Sequence, residues 1–248
     1  MSSRFLVKVF LVLSILVLLG GWFVLQEQPT AETIVSSPSK EQESNGELVV
    51  SEQSILLEVP FSSQAPSAQW NDVVFQNACE ETAILMAMRW AEDATLSKED
   101  AEREIAAIAE FQKETYGHFH DRSAADTAQL MKEYFDYQNV EYVTDIDTSD
   151  IKRELLDGNV VIVPVNGQVL NNPFYTPPGP LEHMIVVVGY DEETHEFITH
   201  DPGTKRGANF RYEEDVLNQA LRDYGTGYHE TIKGVSKVMI VVKPLSRK

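Results

Sequence analysis

Four runs of β-branched and other apolar residues in the second half of the chain restrict its fold more than any other feature. They lie at residues 160–163, 184–188, 196–199 and 238–242. Runs of this length, rich in Val and Ile, are typical of strands that are buried in a sheet. The C-terminal half of the chain is therefore predicted to form a β-sheet.

The preceding part of the chain has helical periodicity instead. Apolar residues recur at i, i+3, i+4 and i+7 after Cys79, and further helices are predicted from Ser97, over 124–137, around 151–156 and at 213–221. Most helices gather before the strands rather than alternating with them. This order predicts an α+β fold in which N-terminal helices pack on a C-terminal antiparallel sheet.

The chain begins with an apolar segment that is long enough to approach the width of a membrane. Residues 9–25 carry no charge and follow Arg4 and Lys8, and as a helix they would cover roughly 26 Å. Two interpretations remain open, namely a single-pass transmembrane anchor at residues 1–25, which the length favours, or a cleaved secretory signal. In both cases we expect the rest of the chain to lie outside the cell membrane, either anchored or secreted.

The remainder of the chain divides into a linker and one domain. Residues 26–52 are polar, rich in Ser, Glu, Gln and Pro, and lack an apolar period, which predicts a flexible linker. Residues 53–248 have a length that suits a single domain with one core. Nothing in the sequence indicates an oligomeric state.

Charge and motif content exclude several kinds of partner. The net charge of −19 argues against nucleic acid, because phosphate binding requires clustered cations. The run His118-Phe119-His120-Asp121 offers metal ligands, but no third ligand follows at a recognisable spacing. We therefore predict no nucleic-acid partner, no metal and no organic cofactor.

Cys79 is the only cysteine, and it stands at the start of a predicted helix. A thiol on the first turn of a helix faces free N–H groups and the positive end of the helix dipole, and both favour the nucleophilic thiolate. The alternative is that Cys79 is a small buried apolar residue. An exported domain with a single cysteine cannot form an internal disulfide, which favours a use for the thiol.

Two later residues give Cys79 a chemical context. His183 precedes the apolar run at 184–188, where a strand would hold the imidazole at the mouth of a cleft. Asp201 ends the next run, and a turn at 189–193 would return it to the side of His183. A carboxylate in that position fixes the tautomer of the imidazole. His200 is an alternative neighbour for this role.

The chain resembles the papain-like cysteine peptidases related to the domains that remove double-glycine leaders from bacteriocins. The resemblance spans residues 59 to about 242. It is carried by Val-Pro-Phe-Ser-Ser-Gln at 59–64 with Trp70 and Cys79 after it, by the stretch 183–191, and by Asp-Pro at 201–202. It implies a papain-like fold and a peptide or protein substrate.

The resemblance also implies a role for each matching residue. Cys79 would be the nucleophile, His183 the general base and Asp201 the residue that orients it. Gln64 would donate a hydrogen bond to the oxyanion, since it closes the matching motif, whereas Gln76 is nearer in sequence but lacks that context.

The residues after the cysteine depart from the family pattern. Many members have Gly-Pro-Thr-Ser there, whereas this chain has Glu80-Glu81-Thr82-Ala83. Carboxylates beside a thiol disfavour its ionisation. We expect Glu80 and Glu81 to be solvated and therefore screened, so that the thiolate of Cys79 still prevails.

Three functions are consistent with these residues. The first is an exported thiol hydrolase that cleaves peptide or amide bonds with a Cys-His-Asp triad. The second is an acyl transferase of the transglutaminase type, which uses the same residue types. The third is a non-catalytic module that binds peptide or cell-wall polymer, which the two glutamates favour. The Pro-rich stretch at 171–180 is predicted to form either a plain connection or the rim or lid of the cleft.

Overall fold

The computed structural model describes residues 54–245. The predicted membrane segment at 1–25 and the linker at 26–52 lie outside these residues and stay predictions. Within 54–245, no helix combines the length and the apolar character that crossing a membrane requires.

The described part of the chain contains seven helices and seven strands. The helices are α1 (Val73–Gln76), α2 (Cys79–Ala91), α3 (Lys98–Tyr116), α4 (Ala124–Phe135), α5 (Thr148–Leu156), α6 (Gly167–Leu170) and α7 (Glu214–Ala220). The strands are β1 (Ile55–Leu56), β2 (Val140–Thr144), β3 (Val160–Val165), β4 (His183–Asp191), β5 (Glu196–His200), β6 (Phe210–Glu213) and β7 (Val238–Val242).

The strands form one antiparallel sheet in the order β2-β7-β3-β4-β5-β6, and β1 pairs with β4. The four apolar runs of the sequence are β3, β4, β5 and β7, as predicted. The mixed arrangement of helices and antiparallel sheet confirms the α+β class. Strand β6 was not predicted because it is only partly apolar.

The sheet has an apolar core on each face, since successive strand residues point to opposite sides. Val160 and Ile162 of β3 belong to the core that includes α2, α3 and α4. Val161 and Val163 belong to the other core, which includes α5 and α7. Helix α2 is therefore enclosed between the sheet and the helices α3 and α4.

Local sequence explains where the main helices begin. The side chain of Ser97 accepts a hydrogen bond from the backbone of Asp100 and caps α3, as predicted. Helix α2 begins at Cys79, also as predicted, but Ala78 before it provides no side-chain cap. The first turn of α2 instead carries two glutamates, which suit the positive end of the helix dipole.

Candidate active site

His183 and Asp201 form a buried pair where β4 begins and β5 ends. Their side chains meet at 2.8 Å, between Nε2 of His183 and Oδ1 of Asp201. The two strands pair antiparallel, as the predicted hairpin requires, although the connecting residues are 192–195 rather than 189–193. Asp201 thus lies beside His183, as the sequence predicted.

His183 is more buried than an open position at the mouth of a cleft would leave it, because only 2 % of this residue is exposed. The ring of Tyr175 packs edge-on against the imidazole, with ring centroids 5.6 Å apart. Tyr175 belongs to the Pro-rich stretch 171–180. This stretch therefore covers the imidazole and is more than a plain connection.

Both oxygens of Asp201 accept hydrogen bonds in a fully buried environment. Besides His183, the donors are the backbone N–H of Gly203 at 3.0 Å, Nδ2 of Asn172 at 3.1 Å, the hydroxyl of Tyr175 at 2.5 Å and the hydroxyl of Tyr212 at 2.6 Å. Burial raises the pKa of both tyrosines, so they remain neutral donors. This set of donors suits an ionised carboxylate.

The electrostatics of the pair define which nitrogen of His183 can act as a base. Burial alone would raise the pKa of Asp201, but the charge of His183 and the hydrogen bonds it receives lower the pKa below its ordinary value. An ionised carboxylate only accepts hydrogen bonds, so Nε2 of His183 carries a hydrogen. In the neutral ring Nδ1 then holds the free lone pair, and this atom can accept a proton.

Cys79 is buried at the start of α2, which packs against β4. Its Sγ donates a hydrogen bond to Oε2 of Glu80 at 3.1 Å. Among residues 54–245, no hydrogen bond joins Cys79 to His183. The thiol is thus held by the residue that follows it in the chain.

The expectation that Glu80 and Glu81 are solvated is wrong, since they are 1 % and 2 % exposed. Oε1 of Glu80 accepts hydrogen bonds from the hydroxyl of Tyr224 at 2.7 Å and from the backbone of Arg122 at 3.2 Å. Oε1 of Glu81 accepts one from Gln112. Both carboxyls lie inside the core because α2 is enclosed by the sheet and by other helices.

These surroundings reverse the electrostatic balance expected at the thiol. Burial raises the pKa of Cys79 well above its ordinary value, and the charge and hydrogen bond of Glu80 raise it further, as do the charges of Asp121 and Glu81. The helix dipole favours the thiolate but is outweighed here. The pKa of Cys79 is thus shifted in the direction opposite to the one that we expected from the sequence.

Gln64 connects the segments that carry the other site residues. Its backbone N–H donates to the carbonyl of Pro202 at 2.9 Å, directly after Asp201. Its Nε2 donates to the carbonyls of Phe75 and Gln76 at 3.0 and 2.9 Å, at the end of α1 just before Cys79. Both amide hydrogens are engaged, so the oxyanion role predicted for Gln64 stays a prediction.

His200, the alternative neighbour of His183, forms hydrogen bonds with other parts of the chain. Its Nε2 lies 2.8 Å from the carbonyl of Val59, and its Nδ1 accepts a hydrogen bond from the backbone of Asn209 at 3.2 Å. Burial lowers the pKa of His200 below its ordinary value, which keeps the ring neutral. Asp201 rather than His200 contacts His183.

Comparison with known protein families identifies the family of this chain, which the geometry alone does not. The model of the Peptidase_C39 like family matches residues 56–233, which is most of the chain. The chain belongs to the Peptidase_C39 like family. This confirms the resemblance that the motifs at 59–64, 183–191 and 201–202 indicated.

One solved structure supports the fold of this C39-like domain. It is a protein from Bacillus anthracis described as a "putative C39-like peptidase", and it is 17 % identical in sequence with a TM-score of 0.50. The similarity covers 77 % of this chain and 98 % of that chain. No curated protein sequence matches the chain.

A cleft of about 410 Å³ lies next to the His183–Asp201 pair of this C39-like domain. It is lined by Trp70, Phe174, Thr176 and residues 203–206. A Cβ atom at Gly203 would lie 3.0 Å from the imidazole ring, so the cleft ends close to His183. The Pro-rich stretch therefore forms one rim of a cleft, which was one of the two predicted alternatives.

Sequence reasoning missed the residues that surround the triad candidates. Asn172 and Tyr175 lie in the Pro-rich stretch, Tyr212 in β6 and Tyr224 after α7. Each is a common polar residue without a motif of its own. The position of the Pro-rich stretch just before His183 was the one sequence feature that pointed to Asn172 and Tyr175.

Proposed function

We propose that this chain is a cysteine peptidase in which Cys79 is the nucleophile, His183 the general base and Asp201 the residue that orients the base. The observation that carries the proposal is the buried pair of His183 and Asp201, which leaves Nδ1 of His183 as a proton acceptor. Helix α2 packs against β4 and brings the only cysteine to the same region.

In the proposed reaction, one imidazole carries protons in both acylation and deacylation. Cys79 attacks the peptide carbonyl and its proton passes to Nδ1 of His183. The resulting imidazolium, stabilised by Asp201, protonates the leaving amine. Water then attacks the acyl-enzyme and gives a proton to His183, the C–S bond breaks to release the acid, and the imidazolium returns the proton to Cys79. The backbone N–H of Cys79, and Gln64 after it releases one of its carbonyl partners, would bind the oxyanion.

The proposal requires a change at the thiol before attack. The hydrogen bond from Cys79 to Glu80 must break so that the sulfur can reach His183. Peptide bound in the cleft beside Gly203 would contact Phe174 and Thr176, the neighbours of Tyr175, and a shift of this stretch would uncover the imidazole. The resting protein would therefore be weakly reactive, and peptide binding would activate it.

A second function is favoured by one specific observation. The raised pKa of Cys79, caused first by burial and then by Glu80, suits a domain that binds peptide in the cleft without cleaving it. An acyl transferase would use the same residues as the peptidase. It would differ in the nucleophile that reaches the acyl-enzyme.

Peptide hydrolysis by the full-length protein tests the proposal. On a library of internally quenched peptides, Cys79→Ala and His183→Ala should each lower the rate by about 10³-fold or more, because nucleophile and base act as a unit. His195→Ala, at an exposed turn, should retain the wild-type rate. Turnover by folded Cys79→Ala at the wild-type rate would exclude the mechanism.

The same assay separates the alternatives. Addition of a primary amine should not divert the product of a peptidase, whereas an acyl transferase would form the new amide. Peptide binding without hydrolysis by wild-type protein would establish the binding module instead.

A further inference from the structure

Three side chains that are far apart in sequence converge on one point near the candidate active site. They are Asp121 in the loop after α3, Glu182 directly before β4 and His229 in the loop before β7. Their ligand atoms all lie within 4.8 Å of one another. Nδ1 of His229 is 3.3 Å from Oε2 of Glu182 and 3.6 Å from Oδ2 of Asp121.

These distances match the coordination shell of a transition metal. Zn²⁺ holds imidazole nitrogen and carboxylate oxygen at about 2.0–2.2 Å. Neighbouring ligands on a tetrahedron of that size are about 3.4 Å apart. The two distances from His229 to the carboxylates are close to this value, so small side-chain movements would complete the shell.

In the described part of the chain, the two carboxylates lie close together without a lysine or arginine to compensate their charge. The side chains of Glu182 and Asp121 are 4 % and 8 % exposed. Within residues 54–245, neither carboxylate forms a salt bridge with a lysine or arginine. The one salt-bridge partner of both in this range is His229. A buried carboxylate pair is costly unless a proton or a cation compensates it.

The site is also accessible. Glu182 and His229 line a cavity of about 400 Å³ together with Arg222 and residues 230–232. The side chain of His229 is 64 % exposed, so it can adjust to an incoming ion. The cavity leaves room for a water molecule in the fourth position of a tetrahedral site.

We infer that Asp121, Glu182 and His229 bind a divalent transition-metal cation, with Zn²⁺ as the best match. One imidazole and two carboxylates suit Zn²⁺ or Mn²⁺, whereas Ca²⁺ and Mg²⁺ prefer ligand sets made only of oxygen. The sequence predicted no metal because the run at 118–121 lacked a nearby third ligand. The missing ligands come instead from Glu182 and His229, which are 61 and 108 residues further along the chain than Asp121.

The position of the site suggests what the ion does. Glu182 is the residue before His183, and the charge of Asp121 is among those that disfavour ionisation of Cys79. A bound cation would offset this negative charge and fix the start of β4. The site is thus placed to adjust the candidate active site without contacting a peptide substrate.

Calorimetric titration of the untagged full-length protein with Zn²⁺ tests the inference. The protein carries Cys79→Ser, so the thiol cannot bind the metal and the result does not depend on peptidase activity. We expect one Zn²⁺ per chain, with Ca²⁺ and Mg²⁺ binding at least tenfold more weakly. His229→Ala and Glu182→Gln should each weaken Zn²⁺ binding by tenfold or more. If the Glu182→Gln variant fails to fold, the His229→Ala variant still tests the site, because it changes only an exposed loop residue.

Two controls define the ligand set. His195→Ala, at an exposed turn, and His120→Ala, in the run at 118–121, should leave the affinity unchanged. Loss of binding in His120→Ala equal to that in His229→Ala would overturn the assignment. So would the absence of Zn²⁺ binding at millimolar metal, or Zn²⁺ binding that His229→Ala does not affect.

Discussion

Cys79 and Glu80 show how a residue can set the chemistry of its neighbour. The thiol of Cys79 and the carboxyl of Glu80 are both buried and share a hydrogen bond of 3.1 Å. Tyr224 and Arg122 hold the other oxygen of Glu80 in place. Burial raises the pKa of Glu80 itself, but wherever Glu80 is ionised its charge so close to the sulfur disfavours ionisation of Cys79.

Replacement of Glu80 tests this directly. Glu80→Gln keeps the shape of the side chain and the acceptor for Tyr224, but removes the charge beside Cys79. We expect the alkylation of Cys79 by iodoacetamide at neutral pH to become about tenfold faster, since hydrogen bonds to charged groups are worth about 1.5–3 kcal/mol. The rate should be measured against pH in the folded full-length protein.

The matched control is Glu92→Gln. Glu92 follows the last residue of the same helix and is exposed, so its replacement should leave the alkylation profile unchanged. An unchanged rate in Glu80→Gln, or a profile displaced to higher pH, would show that burial alone controls the thiol.

Sequence could identify Cys79, His183 and Asp201 but not the surroundings that determine their state. The position of Cys79 follows from helical periodicity, and the meeting of His183 with Asp201 follows from hairpin geometry. Both are local rules. The burial of Glu80 depends on residues such as Arg122 and Tyr224, which approach only when the whole chain folds.

At the scale of elements, the loop between β5 and β6 holds the carboxylate of Asp201. The backbone N–H of Asp201 donates to the carbonyl of Gly207 at 3.0 Å, which closes the loop. A Cβ atom at Gly207 would lie 1.8 Å from the carbonyl oxygen of Asp201. Only glycine permits this approach of the two backbones, so Gly207 positions Asp201 from the opposite end of the loop.

Gly207→Ala should therefore displace Asp201. We expect a loss of about 1–3 kcal/mol in the free energy of unfolding, as in overpacked sites, measured by urea denaturation. We also expect a fall in peptide hydrolysis if Asp201 orients His183. Gly225→Ala is the matched control, because the nearest atom to its new Cβ would be Cβ of Glu230 at 3.3 Å. Equal stability of the two variants would contradict the close approach.

The elements that the sequence predicted are those with a strong repeating pattern. Strands β3, β4 and β7 are continuous apolar runs, and α3 has both periodicity and a cap at Ser97. Strand β6 has a mixed pattern, yet it supplies Tyr212 to Asp201. The contribution of β6 to the site depends on sheet order, which no local pattern in this chain encodes.

At the scale of the whole molecule, the ionisable groups in the core act on stability in opposite directions. Burial raises the pKa of Glu81 well above its ordinary value of 4.5, and the charge of Glu80 adds to this. The pKa of Asp201 is lowered from 3.8 despite its burial, because of His183 and its other donors. The net charge of −19 further opposes compaction near neutral pH.

The pH dependence of unfolding follows from these directions. A raised pKa in the folded state gives Glu81 a contribution that is complete below 4.5 and is lost as the pH rises through its folded value. A lowered pKa gives Asp201 a contribution that is complete above 3.8 and is lost as the pH falls through its folded value. Stability should therefore be greatest at mildly acidic pH, near these two values, and should decrease toward neutral pH.

Thermal unfolding between pH 3 and pH 8 measures this dependence. We expect Tm to fall by several degrees from its acidic maximum to neutral pH, because Oε2 of Glu81 has no hydrogen-bond partner in the described part of the chain and its charge is poorly compensated. Glu81→Gln cannot ionise and should flatten this decline, whereas the exposed Glu92→Gln should retain the wild-type slope. A Tm that rises steadily to pH 8 in the wild-type protein would mean that Glu81 is stably ionised in the core. In that case a permanent charge on Glu81 would add to those that disfavour ionisation of Cys79, and the binding module would become the better account of this C39-like domain.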